Sequence, residues 1–197
     1  MASISAPART SASAPRGGTF VARLNGPWHR RAMWGFMAIV LAHWAEHLIQ
    51  AYQIWSLGMP RHHALGALGM IWPWLVHSET LHYAYALVML VGLLALYPGM
   101  MGQARTWWGV ALALQFWHHF EHALLLAQAA TGWRLGAGPA PVSILQLVLP
   151  RVELHLFYNT VVFVPMLVAM AYHLYPSVSD AARMNCSCSL HRRLAAS

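Results

Sequence analysis

Four long apolar stretches, separated by short connectors, dominate this chain of 197 residues. At about 1.5 Å of rise per helical residue, each stretch is long enough to cross the roughly 30 Å of hydrocarbon in a bilayer. Tryptophans stand at most edges of the stretches, where interfacial rings are common. We therefore predict an all-α integral membrane protein, a four-transmembrane-helix bundle over residues 28–176, with spans near 32–57, 74–97, 106–130 and 150–175.

The second half of the chain repeats motifs of the first half. A His-x-x-Glu-His motif occurs in the first and third spans, at residues 43–47 and 118–122. A Leu-His-x-x-Tyr motif occurs in the second and fourth spans, at residues 81–85 and 154–158. A two-span unit repeated in tandem keeps its orientation, so we expect the halves to be related by an axis along the membrane normal.

The segments outside the predicted bundle are polar. Residues 1–27 are rich in Ala, Ser, Pro and Arg, and no apolar run of signal-peptide length precedes residue 32. We expect a flexible N-terminal tail without a cleaved signal, and a second flexible tail over residues 177–197. Cys186 and Cys188 in that tail are expected to be reduced, with metal capture or acylation as the alternative.

Charge is sparse and unevenly placed: charged residues make up 9% of the chain and hydrophobic residues 58%. All basic residues are arginine, which excludes the lysine Schiff bases of retinal and pyridoxal proteins. Two arginines, Arg61 and Arg134, fall on one side of the predicted membrane. Nine fall on the other side: Arg9, Arg16, Arg23, Arg30, Arg31, Arg105, Arg183, Arg192 and Arg193. The positive-inside rule then puts both termini in the cytoplasm, and we expect a bacterial inner membrane protein without a nucleic-acid partner.

Each predicted span contains one glutamate, and each glutamate has a histidine within three residues. An ionisable group inside a membrane is costly unless it is paired or coordinated, so these clusters indicate a functional site. Carboxylate and imidazole ligands without thiolate suit iron, manganese or zinc. The expected metal ligands are Glu46, His47, Glu79, His82, Glu121, His122, Glu153 and His155, with His43, His77 and His118 either ligating or orienting the ligands.

Helical spacing decides which of these side chains can point together. Residues at i, i+3 and i+4 share a face, whereas Glu153 and His155 are two apart and cannot both point the same way in an ideal helix. Arg151 lies near the outer interface, where it could pair with Glu153. Tyr85 and Tyr158, each one turn from a ligand histidine, are the candidate catalytic side chains for hydrogen bonds or redox steps.

One glutamate per helix with additional histidines resembles the ligand pattern of soluble di-iron bundles. The His43–His47 and His118–His122 spacings also resemble the histidine boxes of membrane desaturases and hydroxylases. We therefore expect two metal ions, with iron favoured over manganese, zinc or copper. The expected enzyme is an oxidase, hydroxylase or desaturase that acts on a membrane-soluble substrate and receives electrons from a separate donor protein.

Other functions fit the same residues. Bis-histidine haem would explain the histidines but not the glutamates. A zinc hydrolase would need fewer ligands, and a proton or ion pathway is a further alternative. The chain could also be a non-catalytic metal- or haem-binding subunit of a larger membrane complex, or a homo-oligomer. The histidines outside the clusters are expected to be interfacial or solvated: His29, His62, His63, His173 and His191.

Overall fold

The structure is a computed structural model that describes residues 19–186 and residue 188. The described part of the chain is helical and contains no strand. Its helices are α1 (Phe20–Leu24), α2 (His29–Trp55), α3 (Gly66–Ile71), α4 (Trp74–His77), α5 (Glu79–Leu96), α6 (Gly102–Thr131), α7 (Arg151–Leu174) and α8 (Val178–Arg183). Residues 1–18, within the predicted N-terminal tail, lie outside the described residues.

The four long helices α2, α5, α6 and α7 pack side by side. Helix α6 lies along both α5 and α7, and α2 completes the arrangement by contacting the same two helices. The α2 contacts are less extensive, and α2 instead packs against the short helix α3. Each long helix therefore has two long neighbours, but α2 is held more loosely than α6.

Three helices are long and apolar enough to cross a membrane, over His29–Trp55, Glu79–Gly99 and Arg151–Leu174, which is consistent with a membrane protein. Helix α6, with 30 residues, is longer than these but carries glutamines and histidines along its length. Large apolar side chains on the outer faces of the long helices are exposed, for example Leu41, Val91, Phe116 and Val164. Soluble monomers rarely expose such extensive apolar surface, whereas lipid would cover it.

The second predicted span starts later than expected. Ser78 has an extended backbone, and its hydroxyl accepts the Leu81 N–H, so α5 begins at Glu79 and not at Trp74. Serine is a favoured N-cap because its oxygen satisfies an amide that the first helical turn leaves free. His77 therefore belongs to α4, where it is exposed, and not to the helix that carries His82.

The apolar core occupies the half of the bundle that contains the start of α2 and α6 and the end of α5 and α7. Fully buried Met33, Leu93, Trp108 and Met166 lie at its centre. The Trp108 indole N–H donates to the Leu93 carbonyl at 2.9 Å, which joins α6 to α5. The other half of the bundle is filled by histidines in place of aliphatic side chains.

The segment after α7 packs against the bundle, although we expected it to be a flexible tail. Ser177 caps α8 by accepting the Asp180 N–H, and hydrogen bonds from Ser177 and Arg183 lower the pKa of the Asp180 carboxyl. Beyond α8, Met184 and both cysteines are buried. The chain from Ser177 to Cys186 is therefore ordered structure at the end of the bundle, and residues 187 and 189–197 lie outside the described residues.

Candidate metal centre

Six imidazoles meet between the four long helices. They belong to His43 and His47 of α2, His82 of α5, His118 and His122 of α6, and His155 of α7. Across the bundle, the ring centroids of His47 and His155 are 5.3 Å apart, and those of His82 and His122 are 6.0 Å apart. The His122 and His155 centroids are 5.4 Å apart. The structure thus brings together six of the seven histidines predicted as ligands.

Two nitrogens of this six-histidine cluster are close enough to share an ion. The Nε2 atoms of His43 and His47 lie 3.0 Å apart. Two imidazole nitrogens at 2.0–2.1 Å from one metal ion would be separated by about 2.9–3.4 Å for bond angles between square and tetrahedral. This spacing suits two ligands on a single ion, and it also suits a hydrogen bond between the two rings.

Three of the rings are oriented by oxygen atoms behind them. Nδ1 of His82 contacts the Ser78 carbonyl at 2.9 Å, and Nδ1 of His155 contacts the Arg151 carbonyl at 2.8 Å. Nδ1 of His47 contacts the Gln50 side-chain oxygen at 2.8 Å. Metal-binding histidines almost always donate their second nitrogen in this way, which leaves Nε2 as the free ligand atom.

Several other nitrogens of the cluster are buried without a hydrogen-bond partner in the described part of the chain: His118 Nδ1, His122 Nδ1 and His155 Nε2. Buried polar atoms are nearly always satisfied, so each such atom needs an explanation. Burying several empty imidazole nitrogens in one place is costly for packing alone, whereas metal ions would satisfy them.

The glutamates of α2 and α6 point toward the connectors. The Glu46 carboxylate accepts the Leu68 N–H at 3.1 Å, and the Glu121 carboxylate accepts the Leu145 N–H at 2.9 Å. Gly66 has a φ of +74°, and a Cβ there would collide with the Glu46 carboxylate. Both carboxylates also line cavities that they share with cluster histidines. Their ligation of metal stays a prediction.

The glutamates of α5 and α7 form ion pairs. Arg151 donates to both oxygens of Glu79, at 2.6 and 2.9 Å, and Arg61 donates to Glu153 at 2.6 and 3.0 Å. The expected pairing of Arg151 with Glu153 is therefore replaced by a pair that links α7 to α5. Since Glu153 faces Arg61, His155 is the member of that i, i+2 pair that faces the cluster.

One predicted ligand, His77, stands apart from the rest. His77 is exposed and lines a cavity of about 350 Å³ that also reaches Arg61, His82 and Arg151. It therefore lies beside the approach to the cluster and outside the group of six rings. The reason is the Ser78 cap, which separates α4 from α5.

The predicted tyrosines each contact a cluster histidine. Tyr85 stacks on His43 with a centroid distance of 3.8 Å, and Tyr158 lies against His118 at 4.3 Å. The Tyr158 hydroxyl is buried and has no hydrogen-bond partner among the described residues that meets normal geometry, although Glu121 lies beside it. Both halves of the chain thus place a tyrosine ring against the first histidine of the cluster motif. A catalytic role for either tyrosine stays a prediction.

Sequence reasoning missed two glutamines that hold the connectors. Gln53 receives the Gly66 N–H at 2.9 Å, and Gln128 donates to the Val142 carbonyl at 2.7 Å and accepts the Leu135 N–H at 3.0 Å. Each lies seven residues after the glutamate of its helix. The signal was present in the sequence, because the repeated motif continues as Glu-x6-Gln.

The cavities around the cluster differ in size. The central one, lined by five of the six imidazoles together with Gln115 and Asn159, has a volume of about 20 Å³. A volume of that size is far too small for a porphyrin. An apolar cavity of about 450 Å³ lies between α2, α3 and α5 and is bounded by His43, His47 and His82.

No protein-family model matches this chain, and neither the curated proteins nor the solved structures contain a significant match.

Proposed function

We propose that this chain is a membrane-embedded metalloprotein whose two repeats together hold a di-metal centre, acting as an oxidoreductase on a membrane-soluble substrate. The observation that carries the proposal is the six-histidine cluster. Several of its buried imidazole nitrogens lack partners among the described residues, and three of its rings are oriented by oxygen atoms behind them. Six imidazoles provide three ligands for each of two ions, which leaves coordination positions open for dioxygen or substrate.

Iron is the proposed metal, and the acidic residues support it through charge. Imidazole suits iron, copper and zinc, while carboxylate shifts the preference toward iron. Glu79 and Glu153 are neutralised by Arg151 and Arg61. Glu46 and Glu121 form no ion pair in the described part of the chain, so their negative charge remains beside the histidines. A cationic centre is tolerated in low dielectric only with such compensation.

We infer that all four long helices cross the membrane, including α6. The outer face of α6 exposes Val110, Phe116 and Phe120, which suits contact with lipid. The arginine distribution supports cytoplasmic termini and a bacterial inner membrane. In that orientation the six-histidine cluster lies in the outer half of the bilayer.

The apolar cavity of about 450 Å³ supports a hydrophobic substrate. Its volume falls within the range of small-molecule sites, and most of its wall is aliphatic or aromatic, including Ile39, Leu65, Leu68 and Leu81. When bound, the metal ions supply dioxygen activation and electron transfer. The side chains of this chain then position a quinone, lipid or hydrocarbon beside His43 and Tyr85, and a separate protein delivers electrons.

The small central cavity favours ions over the alternative cofactor, haem. The test is metal analysis and optical spectroscopy of the full chain in mild detergent, for wild type, His122→Ala/His155→Ala, and the matched control His62→Ala/His63→Ala. His62 and His63 are exposed histidines of a connector. We expect about two irons per chain, lost in the cluster variant and retained in the control.

A Soret band in the wild type, or unchanged iron in the cluster variant, would refute the di-iron proposal. If the wild type binds copper or zinc in place of iron and only the cluster variant loses it, the site would be retained and the metal would be corrected. If the wild type binds iron but does not oxidise a quinol, a probe that brings its own electrons, the result would support the non-catalytic subunit.

A further inference from the structure

A second group of metal-ligating side chains lies at the other end of the bundle. His29 is the first residue of α2, and His173 lies in the last turn of α7. Cys186 and Cys188 follow α8 and fold back against the bundle beside Met101. The exposed fractions of His29, His173, Cys186 and Cys188 are 0%, 1%, 4% and 0%. Both histidines were expected to be interfacial or solvated, and the structure buries them.

The ligand atoms of this group converge. One nitrogen of His173 and the sulfurs of Cys186 and Cys188 all lie within 4.8 Å of one another. The Cys186 sulfur is 3.5 Å from His173 Nε2. Ligand atoms on a tetrahedral zinc ion are about 3.3–3.8 Å apart, because Zn–S is near 2.3 Å and Zn–N near 2.0–2.1 Å. Since no separation exceeds 4.8 Å, reaching the tetrahedral spacing needs a movement of at most about 1–1.5 Å.

His29 lies beside this group of three. Its ring centroid lies 4.9 Å from that of His173. Among the described residues, neither ring nitrogen of His29 makes a hydrogen bond of normal geometry, although the Leu24 backbone is nearby, and His173 Nδ1 also lacks a partner there. A Cβ at Gly99 would collide with the His29 ring, so glycine leaves the space that the imidazole fills. These empty nitrogens are independent of the cysteines and also indicate a ligand.

We propose that His29, His173, Cys186 and Cys188 form a structural zinc site. Two thiolates and two imidazoles in tetrahedral arrangement are a common zinc ligand set. Two thiolates neutralise one divalent ion, so the complete site carries no net charge in its buried position. The ion fastens the segment after α8 to the ends of α2 and α7.

This site is separate from the six-histidine cluster. His29 and His43 are both on α2, 14 residues apart, which corresponds to roughly 21 Å along a helix. The ligand chemistry also differs, because thiolates occur here and are absent from the six-histidine cluster. The proposal therefore stands or falls independently of the di-metal centre.

The experiment uses the full chain in mild detergent under reducing conditions, with Co²⁺ as a spectroscopic probe and total zinc by mass spectrometry. Thiolate-to-cobalt charge transfer reports only on a site with cysteine ligands, so the six-histidine cluster cannot produce it. We expect one zinc per chain in the wild type and the charge-transfer band after cobalt exchange. Cys186→Ser/Cys188→Ser removes both signals and leaves the iron content unchanged.

A second variant tests the fourth ligand without altering the thiols. His29→Ala is expected to weaken zinc affinity by at least about tenfold while keeping a thiolate–cobalt band of altered shape. His62→Ala, an exposed histidine, is the matched control and keeps wild-type affinity. Three results would overturn the proposal. They are thiols that react fully with a thiol reagent in the presence of stoichiometric zinc, a disulfide between Cys186 and Cys188, and a zinc content that is unchanged in the double cysteine variant.

Discussion

The two halves of this molecule use the same side chains for the same contacts, but they enclose very different space. In each half a glutamate accepts a connector N–H, a glutamine seven residues later binds the connector backbone, and a tyrosine lies against the first histidine. In each half the histidine of the second helix is oriented by the carbonyl four residues earlier. The repeat therefore conserves the scaffold of the cluster.

The difference lies in the connectors. The first half folds its connector into α3 and α4 and leaves the apolar cavity of about 450 Å³ beside Glu46. The second half has only a 3-10 turn at Leu145–Leu147, and the cavity beside Glu121 is about 10 Å³. Helices α6 and α7 also pack more extensively than α2 does with its long neighbours. The repeated residues thus build one cluster, and the large apolar cavity beside it belongs to the first half.

Histidine variants in the two halves should have the largest effect. His47→Ala and His122→Ala each remove a buried imidazole from the cluster. We expect each to lower metal affinity by more than about 100-fold, since even residues that only orient ligands contribute 10- to 100-fold. Competition with a chelator measures this. If only one of the two variants lost metal affinity, the two halves would not share one centre.

Filling the large cavity of the first half should affect substrate binding, whereas filling the small cavity of the second half should affect stability. Leu68→Phe projects into the large cavity of the first half, so we expect substrate affinity to fall at least about tenfold with metal content and unfolding midpoint unchanged. Leu125→Phe is the matched change in the packed second half, where overpacking costs about 1–3 kcal/mol. Equal destabilisation by both variants would contradict the difference between the cavities.

The connector glutamates should differ in their contribution to stability. Glu121 is 2% exposed and Glu46 is half-buried. Glu121→Ala leaves the Leu145 N–H without its acceptor, so we expect a loss of about 1–3 kcal/mol in unfolding free energy, and a smaller loss for Glu46→Ala. Chemical unfolding in detergent measures both. Glutamine variants, which retain an acceptor, should recover most of the stability, and no recovery would argue against the hydrogen bonds.

The ion pairs should have the smallest effect. Arg151 and Glu79 are 37% and 12% exposed, against 56% and 25% for Arg61 and Glu153. Arg151→Gln should therefore cost about 1–2 kcal/mol, and Arg61→Gln less than about 1 kcal/mol, with the latter reduced further by salt. Chemical unfolding of both variants at two ionic strengths measures the two losses in unfolding free energy. A larger cost for Arg61→Gln would reverse the order that burial implies.

Most of the helical framework could be predicted from local pattern alone. The long apolar stretches anticipated α2, α5, α6 and α7 within a few residues, except where Ser78 caps α5. The histidines at i and i+4 were predicted to share a face, and the structure brings their rings together. Periodicity succeeds here because the face of a helical residue depends only on its position along the helix.

The partners of the glutamates could not be predicted in this way. Glu46 and Glu121 bond to amides 22 and 24 residues away, in connectors whose path no local pattern determines. Arg151 is two residues from Glu153, yet it pairs with Glu79, 72 residues away. An ion pair forms between the side chains that helix packing brings together, so nearness in sequence was a poor guide.

By itself the sequence determined the helices, the tandem repeat, and the histidines and tyrosines that each helix presents, since these follow from spacing and hydrophobicity. Only the tertiary structure decided that the carboxylates hold connectors and arginines, that one half keeps an open cavity, and that His29 and His173 meet the cysteines. Those outcomes depend on contacts between residues far apart in the chain, and such contacts exist only after the helices have packed.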